Sequence, residues 1–155
     1  MTSLPSEVLR ALQGKTLVTA ESITGGGIGQ ALTSVPGASA VYKGGIVSYC
    51  DDVKASVLGV DEALLRSLGA VSAPVAEAMA KGVRQVCGAS IGVGITGIAG
   101  PGSDGTEKPV GLVFLGYCDE TCCISKKLLL NGSREEIRRE SCRQAALLIK
   151  EHLNP

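Results

Sequence analysis

Thr19-Ala20-Glu21-Ser22-Ile23-Thr24-Gly25-Gly26-Gly27 is the stretch whose reading decides the fold. It follows the apolar pair Leu17-Val18 and precedes a mixed apolar segment, Ile28 to Leu32. That order predicts strand, tight turn, helix. Hydroxyls and glycines at such a junction bring side-chain oxygens and bare backbone N–H groups into one pocket. A helix N-terminus carries unpaired N–H donors and a partial positive charge, so it attracts anions. Ser22, Thr24, Gly25 and Gly26 are therefore candidate site residues, with Glu21 beside them.

Working outward, residues 3–13 predict a first helix. Ser3 can cap it, Pro5 suits an early position, Val8, Leu9 and Leu12 share a face, and Gly14 stops it. Lys15–Glu21 is the first strand and Gly25–Thr33 the second helix, with Pro36-Gly37 at its end. A short helical or irregular piece over Ser39–Lys43 leads to a second strand, Gly44–Tyr49. Asp51 is read as the cap of a short helix carrying Val53, Lys54, Val57 and Leu58. Asp61 opens another, with Leu64, Leu65 and Leu68 turned inward. Ser72 caps a longer one whose Val75, Ala76, Met79, Val83 and Val86 recur at helical spacing.

Ala89–Thr96 reads as a buried strand, and Gly92 and Gly94 fit a close backbone approach. Residues 97–109 form a Gly/Pro-rich loop longer than a hairpin requires, which hints at function. It lacks the spacing of a phosphate-binding ATPase loop. Val110–Tyr117 and Cys122–Leu130 read as an antiparallel pair. The last helix starts with a capping box, Ser133 and Glu136. Ile137, Ala145, Leu148, Ile149 and Leu153 form its buried stripe, and Arg134, Arg138, Arg139 and Arg143 fall mostly on the other side. The expected fold is one domain over residues 1–155, a three-layer α/β/α sandwich with a mixed, mostly parallel five-stranded sheet. Ligands of open α/β sheets sit beyond the carboxyl ends of strands. Glu21-Ser22, Tyr49 through Lys54, and Thr96 with its loop all fall at such ends.

Composition narrows the partners. Lys plus Arg balance Asp plus Glu at 15 each, which argues against a broad nucleic-acid surface. No apolar run is long enough for a bilayer and no secretory signal is read, so a cytosolic location is expected. The six cysteines show no repeated metal-ligand spacing, and the one histidine is His152, so no metal is expected. The cysteines read as small buried hydrophobes in a reducing compartment, with Cys118 and Cys122 flanking a turn closely enough to pair.

Thr19–Gly26, Val35-Pro36-Gly37-Ala38-Ser39, Gly69-Ala70-Val71-Ser72, Thr96–Gly102 and Glu107-Lys108-Pro109-Val110-Gly111 together resemble the CinA C-terminal domain family. The motifs stand in the family's order along nearly the whole chain, in what resembles its stand-alone form. Members of that family include amidases that hydrolyse the carboxamide of nicotinamide mononucleotide to nicotinate mononucleotide and ammonia. The resemblance implies Ser22 as nucleophile, Lys54 as its base, Tyr49 beside them, and Thr96 and Arg134 at the substrate. It also implies a homodimer, a small-molecule nucleotide substrate and no cofactor. Two departures stand out: Cys50-Asp51 replaces the family's usual Ser-Asn, and Ile23 stands where many relatives have Cys. A non-catalytic nucleotide-binding domain, and an amidase for another carboxamide, are the alternatives.

Overall fold

A computed structural model describes residues 2–154. Five strands form one sheet: β1 (Leu17–Glu21), β2 (Tyr42–Val47), β3 (Ile91–Gly97), β4 (Leu112–Cys118) and β5 (Cys123–Leu129). The spatial order is β2-β1-β3-β4-β5. β1 runs parallel to both β2 and β3, whereas β4 is antiparallel to β3 and to β5. Only β4 is reversed, so the sheet is mixed and mostly parallel. The three strand ends singled out in the sequence, those of β2, β1 and β3, lie side by side.

The helices are α1 (Leu4–Leu12), α2 (Gly27–Thr33), α3 (Asp51–Ser56), α4 (Glu62–Leu68), α5 (Ala73–Cys87) and α6 (Arg134–Leu153), with a 3-10 turn at Ala38–Ala40. Alternation along β1 sorts the layers, because successive strand side chains point to opposite faces. Leu17 joins Val8 and Leu12 of α1, Ile28 and Leu32 of α2, and Ile137, Ala145 and Ile149 of α6 in one core. Val18 and Ala20 join Leu58, Leu65, Val75, Met79 and Val83 in the other, beneath α5.

α5 lies backbone to backbone on the sheet. A Cβ at Gly94 would stand 2.7 Å from the Ala76 carbonyl oxygen and 2.8 Å from the Ala80 nitrogen. At Gly92 and at Gly116 of β4 it would run into the Ala80 and Ala76 carbonyls. Any side chain there would lift the helix, an overpacking cost of about 1–3 kcal/mol.

The structure corrects several expectations. α3 is capped by Cys50 and not by Asp51, which occupies its first helical position. Leu68, Val86 and Val57 are exposed, since each falls at the solvent edge of a helix whose neighbours fill the core. Ser72 precedes α5 without a capping bond; its hydroxyl donates to Gly69 O instead. The Ser133–Glu136 capping box forms as expected. Cys118 is joined to Cys123, not to Cys122. The hairpin register sets Cys118 directly opposite Cys123, and Cys122 precedes the paired strand.

Candidate active site

The chain leaves β1 at Glu21 and turns at once. Ser22 O accepts from Gly25 N at 3.1 Å, and Gly25 takes φ +60°, a left-handed value that suits glycine. Ser22 itself is tied to the neighbouring strand, its N–H donating to Ile95 O at 3.1 Å. On the other flank, β2 ends at Val47, and Ser48 N donates to Glu21 O at 2.8 Å, carrying the pairing one step beyond the ladder. The chain then enters α3, whose C-cap is Val57. Val60 N donates back to Lys54 O at 3.1 Å and Gly59 N to Ala55 O at 3.1 Å. This compact helix carries Lys54 over the end of β1.

Lys54 is only 1% exposed and Ser22 8%. Lys54 Nζ lies 3.0 Å from Ser22 Oγ, 2.8 Å from Ser48 O and 3.3 Å from Tyr49 O. No carboxylate forms an ion pair with it among the described residues. Burial pushes its pKa below the ordinary 10.5, and the nearby Asp51 and Cys50 pull the other way without reversing it. The two carbonyl oxygens can only accept, so they claim two N–H bonds in either protonation state. A neutral amine held this way has its lone pair left for the serine hydroxyl.

Ser22 and Lys54 open on a cavity of about 380 Å³, lined also by Tyr49, Asp51, Thr96 and Arg134. Thr96 is buried, and its hydroxyl donates to Ala70 O at 3.0 Å, fixing the carboxyl end of β3 to the segment before α5. Tyr49 is 64% exposed at the rim. Arg134, the first residue of α6, donates to Gly100 O at 2.8 Å and, at a longer 3.4 Å, to the Tyr49 hydroxyl. Lys108, unremarked in the sequence as a site residue, ties the loop after β3 to the α4–α5 connection through Leu68 O at 2.5 Å and Val71 O at 2.6 Å.

The glycine turn is arranged differently from the expectation. Glu21 and Thr24 are buried and do not line the cavity, and neither do Gly25 and Gly26. The Glu21 carboxylate accepts from Ile28 N at 2.8 Å, Gly29 N at 3.0 Å, Thr24 Oγ1 at 2.6 Å and Thr19 Oγ1 at 3.1 Å. The N-terminus of α2 is thus filled by the chain's own carboxylate, not left open for an anion. Gly25 N and Gly27 N are also committed, to Ser22 O and Thr24 O. By contrast, the N–H of Ile23, which lines the cavity, has no acceptor among the described residues.

Sequence reasoning missed Arg138. It was expected on the outer face of α6, yet Nε donates to Ile23 O at 3.1 Å and Nη2 to Thr24 O at 3.3 Å. The signal was present in the spacing: Arg138 is four residues from Arg134 and seven before the buried Ala145, on the inward stripe.

An α/β/α domain with a buried serine–lysine pair at the carboxyl edge of its sheet is the class these features define. The model of the CinA C-terminal domain matches residues 1–153, and the chain belongs to that family. It is 53% identical over 134 residues to a CinA-like protein of Synechococcus sp. (strain CC9311), spanning 85% of this chain and 32% of that one. A putative competence-damage inducible protein of Moorella thermoacetica is 47% identical, over 86% of this chain and 32% of its own length. The chain therefore spans about a third of the length of these curated relatives. A crystal structure of a CinA superfamily protein from Klebsiella pneumoniae superposes with a TM-score of 0.94 at 32% identity, covering 97% of this chain and 95% of that one. The competence/damage inducible protein CihA from Agrobacterium tumefaciens gives 0.90 at 37% identity, covering 100% and 98%. Among the described residues no helix is long and apolar enough to cross a membrane, and no cluster of potential metal ligands occurs.

Proposed function

We propose that this protein is a nicotinamide-nucleotide amidase that hydrolyses the carboxamide of nicotinamide mononucleotide through Ser22 and Lys54. The observation that carries the reading is Lys54: buried, without a carboxylate partner among the described residues, held by two carbonyls and 3.0 Å from Ser22 Oγ. A serine hydroxyl needs a base to become a useful nucleophile, and a lysine serves only when its pKa is lowered. Burial supplies that lowering here.

Ser22 Oγ attacks the carboxamide carbon while its proton passes to Lys54 Nζ. The carbonyl oxygen becomes an oxyanion, for which Ile23 N–H is the adjacent free donor; one such donor contributes about 3 kcal/mol. As the C–N bond breaks, Lys54 returns the proton to the leaving nitrogen and ammonia departs. A water then attacks the acyl-Ser22 ester, giving its proton to Lys54, and the acid is released as Ser22 regains its hydrogen. The scheme uses no metal or organic cofactor. Arg134 at the rim is the cation suited to the phosphate, by paired, charge-assisted bonds. Asp51, in the cavity wall, faces the cationic pyridinium ring. Cytosolic location and a homodimer belong to the same reading.

The test is incubation of purified protein with nicotinamide mononucleotide, measuring ammonia and the acid product. Turnover abolished by Ser22→Ala and by Lys54→Ala is the expected outcome. Asp51 also favours a second reading, an amidase for another carboxamide with a cationic ring; turnover of such a compound alone would establish it. Binding of the mononucleotide without turnover would leave a nucleotide-binding domain.

A further inference from the structure

Arg138 touches neither the cavity nor any acidic side chain among the described residues; its two hydrogen bonds go to two consecutive carbonyls of the turn after Ser22. Its Nη2 would lie 3.4 Å from a Cβ at Gly25, so the guanidinium packs against the turn. A trans peptide points its C=O and N–H in opposite directions. Fixing Ile23 O toward α6 therefore fixes the Thr24 N–H away from α6. The Ser22 O to Gly25 N bond, inside the same turn, fixes the Ile23 N–H away from Gly25. Neither N–H has an acceptor among the described residues. Four residues earlier on the same helix, Arg134 holds Gly100 O, in the loop after β3. One helix thus ties down both the turn after Ser22 and the loop after β3.

We propose that Arg138 is a positioning residue: it holds the Ser22–Gly25 turn so that Ser22 Oγ stays on Lys54 and the free Ile23 amide faces the reacting carbonyl. This rests on the serine–lysine reading. The geometry gives Arg138 a distinctive signature, because it acts on the reacting serine and has no contact with the space the substrate fills. Its loss lowers kcat and leaves KM in place. A displacement on the scale of 1 Å at a nucleophile costs about a hundredfold in rate.

The test uses the intact protein with Arg138→Met, which keeps the aliphatic stem, and Arg138→Lys, which keeps the charge. Two rates are read: hydrolysis of nicotinamide mononucleotide, and labelling of Ser22 by a small fluorophosphonate. In the labelling step the Oγ–P bond forms, fluoride leaves, and the serine proton passes to Lys54. Arg138→Met is expected to lower both kcat and the labelling rate by about tenfold to a hundredfold, with KM within about twofold. Millimolar guanidinium should restore part of both in Arg138→Met and nothing in the wild type, and Arg138→Lys should fall between. Unchanged kcat and labelling would overturn the proposal. So would a loss in Arg138→Met and Arg138→Lys that tracks their melting temperatures and resists guanidinium. A wild type that labels at Ser22 but leaves the mononucleotide intact removes the substrate and keeps the positioning role, read by labelling. A wild type that does not label at Ser22 removes the serine mechanism and the positioning role with it.

Discussion

Two buried ionisable side chains flank the end of β1, and they are treated in opposite ways. Glu21 is 2% exposed and its two oxygens take two backbone N–H groups and two hydroxyls. Lys54 is 1% exposed and meets two carbonyls and one hydroxyl, with no carboxylate among the described residues paired to it. Glu21 is satisfied and closed off from the cavity; Lys54 is left short of compensation and opens on it. A satisfied buried polar network stabilises and specifies a fold, whereas an undercompensated buried charge shifts its own proton equilibrium. The first arrangement suits architecture, and the second suits proton transfer.

The strongest way to break this contrast is to remove each group in turn. Under the proposed mechanism, Ser22→Ala and Lys54→Met lower turnover by about ten-thousandfold or more, measured as ammonia release. Lys54→Met should nevertheless keep or raise the unfolding midpoint in urea, because it replaces a desolvated amine with an apolar chain of similar length. A Lys54→Met protein that is both active and less stable would make Lys54 an architectural residue. Glu21→Gln should do the reverse. It sets an NH2 against donors it cannot accept from, at a cost of about 3 kcal/mol in urea unfolding. Glu21→Gln at full stability would show that the carboxylate is not what holds α2.

A finer test is pH. Folded Lys54 has a pKa below 10.5, so between that depressed value and 10.5 the native state binds fewer protons than the unfolded chain. Stability from this site therefore rises with pH across that window. The desolvation cost is fully present below it and gone above 10.5. Lys54→Met should flatten that slope in urea midpoints taken over a pH series. The same deprotonation should give kcat/KM an acid limb lying below 10.5. Asp51→Asn removes a group that raises the Lys54 pKa, and so should move the limb to lower pH while raising KM for a cationic ring. A limb that moves up, or does not move, would separate Asp51 from the Lys54 equilibrium, and an unchanged KM would separate it from the ring. The smallest effect belongs to Tyr49→Phe. Among the described residues the Tyr49 hydroxyl meets only Arg134, at 3.4 Å, and its loss should cost about twofold to fivefold in kcat/KM.

Much of the fold was legible because its signals are local. The Ser3 and Ser133 caps, the glycine stops and the alternation through Ile91, Val93 and Ile95 each depend on a few neighbouring residues. Gly92 and Gly94 were legible for the same reason: small residues in a buried strand mean something comes close. Helix edges were harder. Val86 repeats the apolar spacing of α5 but faces solvent, because spacing marks a face and not how far the sheet extends beneath it. The α2 N-terminus was read as an open anion site because its donors are visible in sequence. That Glu21, seven and eight residues away from Ile28 and Gly29, folds back to fill it is a three-dimensional fact.

The amino-acid order by itself determined the strand–turn–helix at Ser22, the glycines that let the turn and α5 pack closely, and the motif set that marks the family. Those depend on backbone freedom and short-range spacing, which a linear string carries. Tertiary structure alone decided that Ser22 and Lys54, 32 positions apart, would stand at 3.0 Å, and that Arg138 would reach across to the turn between them and α6. Strand adjacency, helix docking and the exclusion of water around Lys54 are collective results of packing.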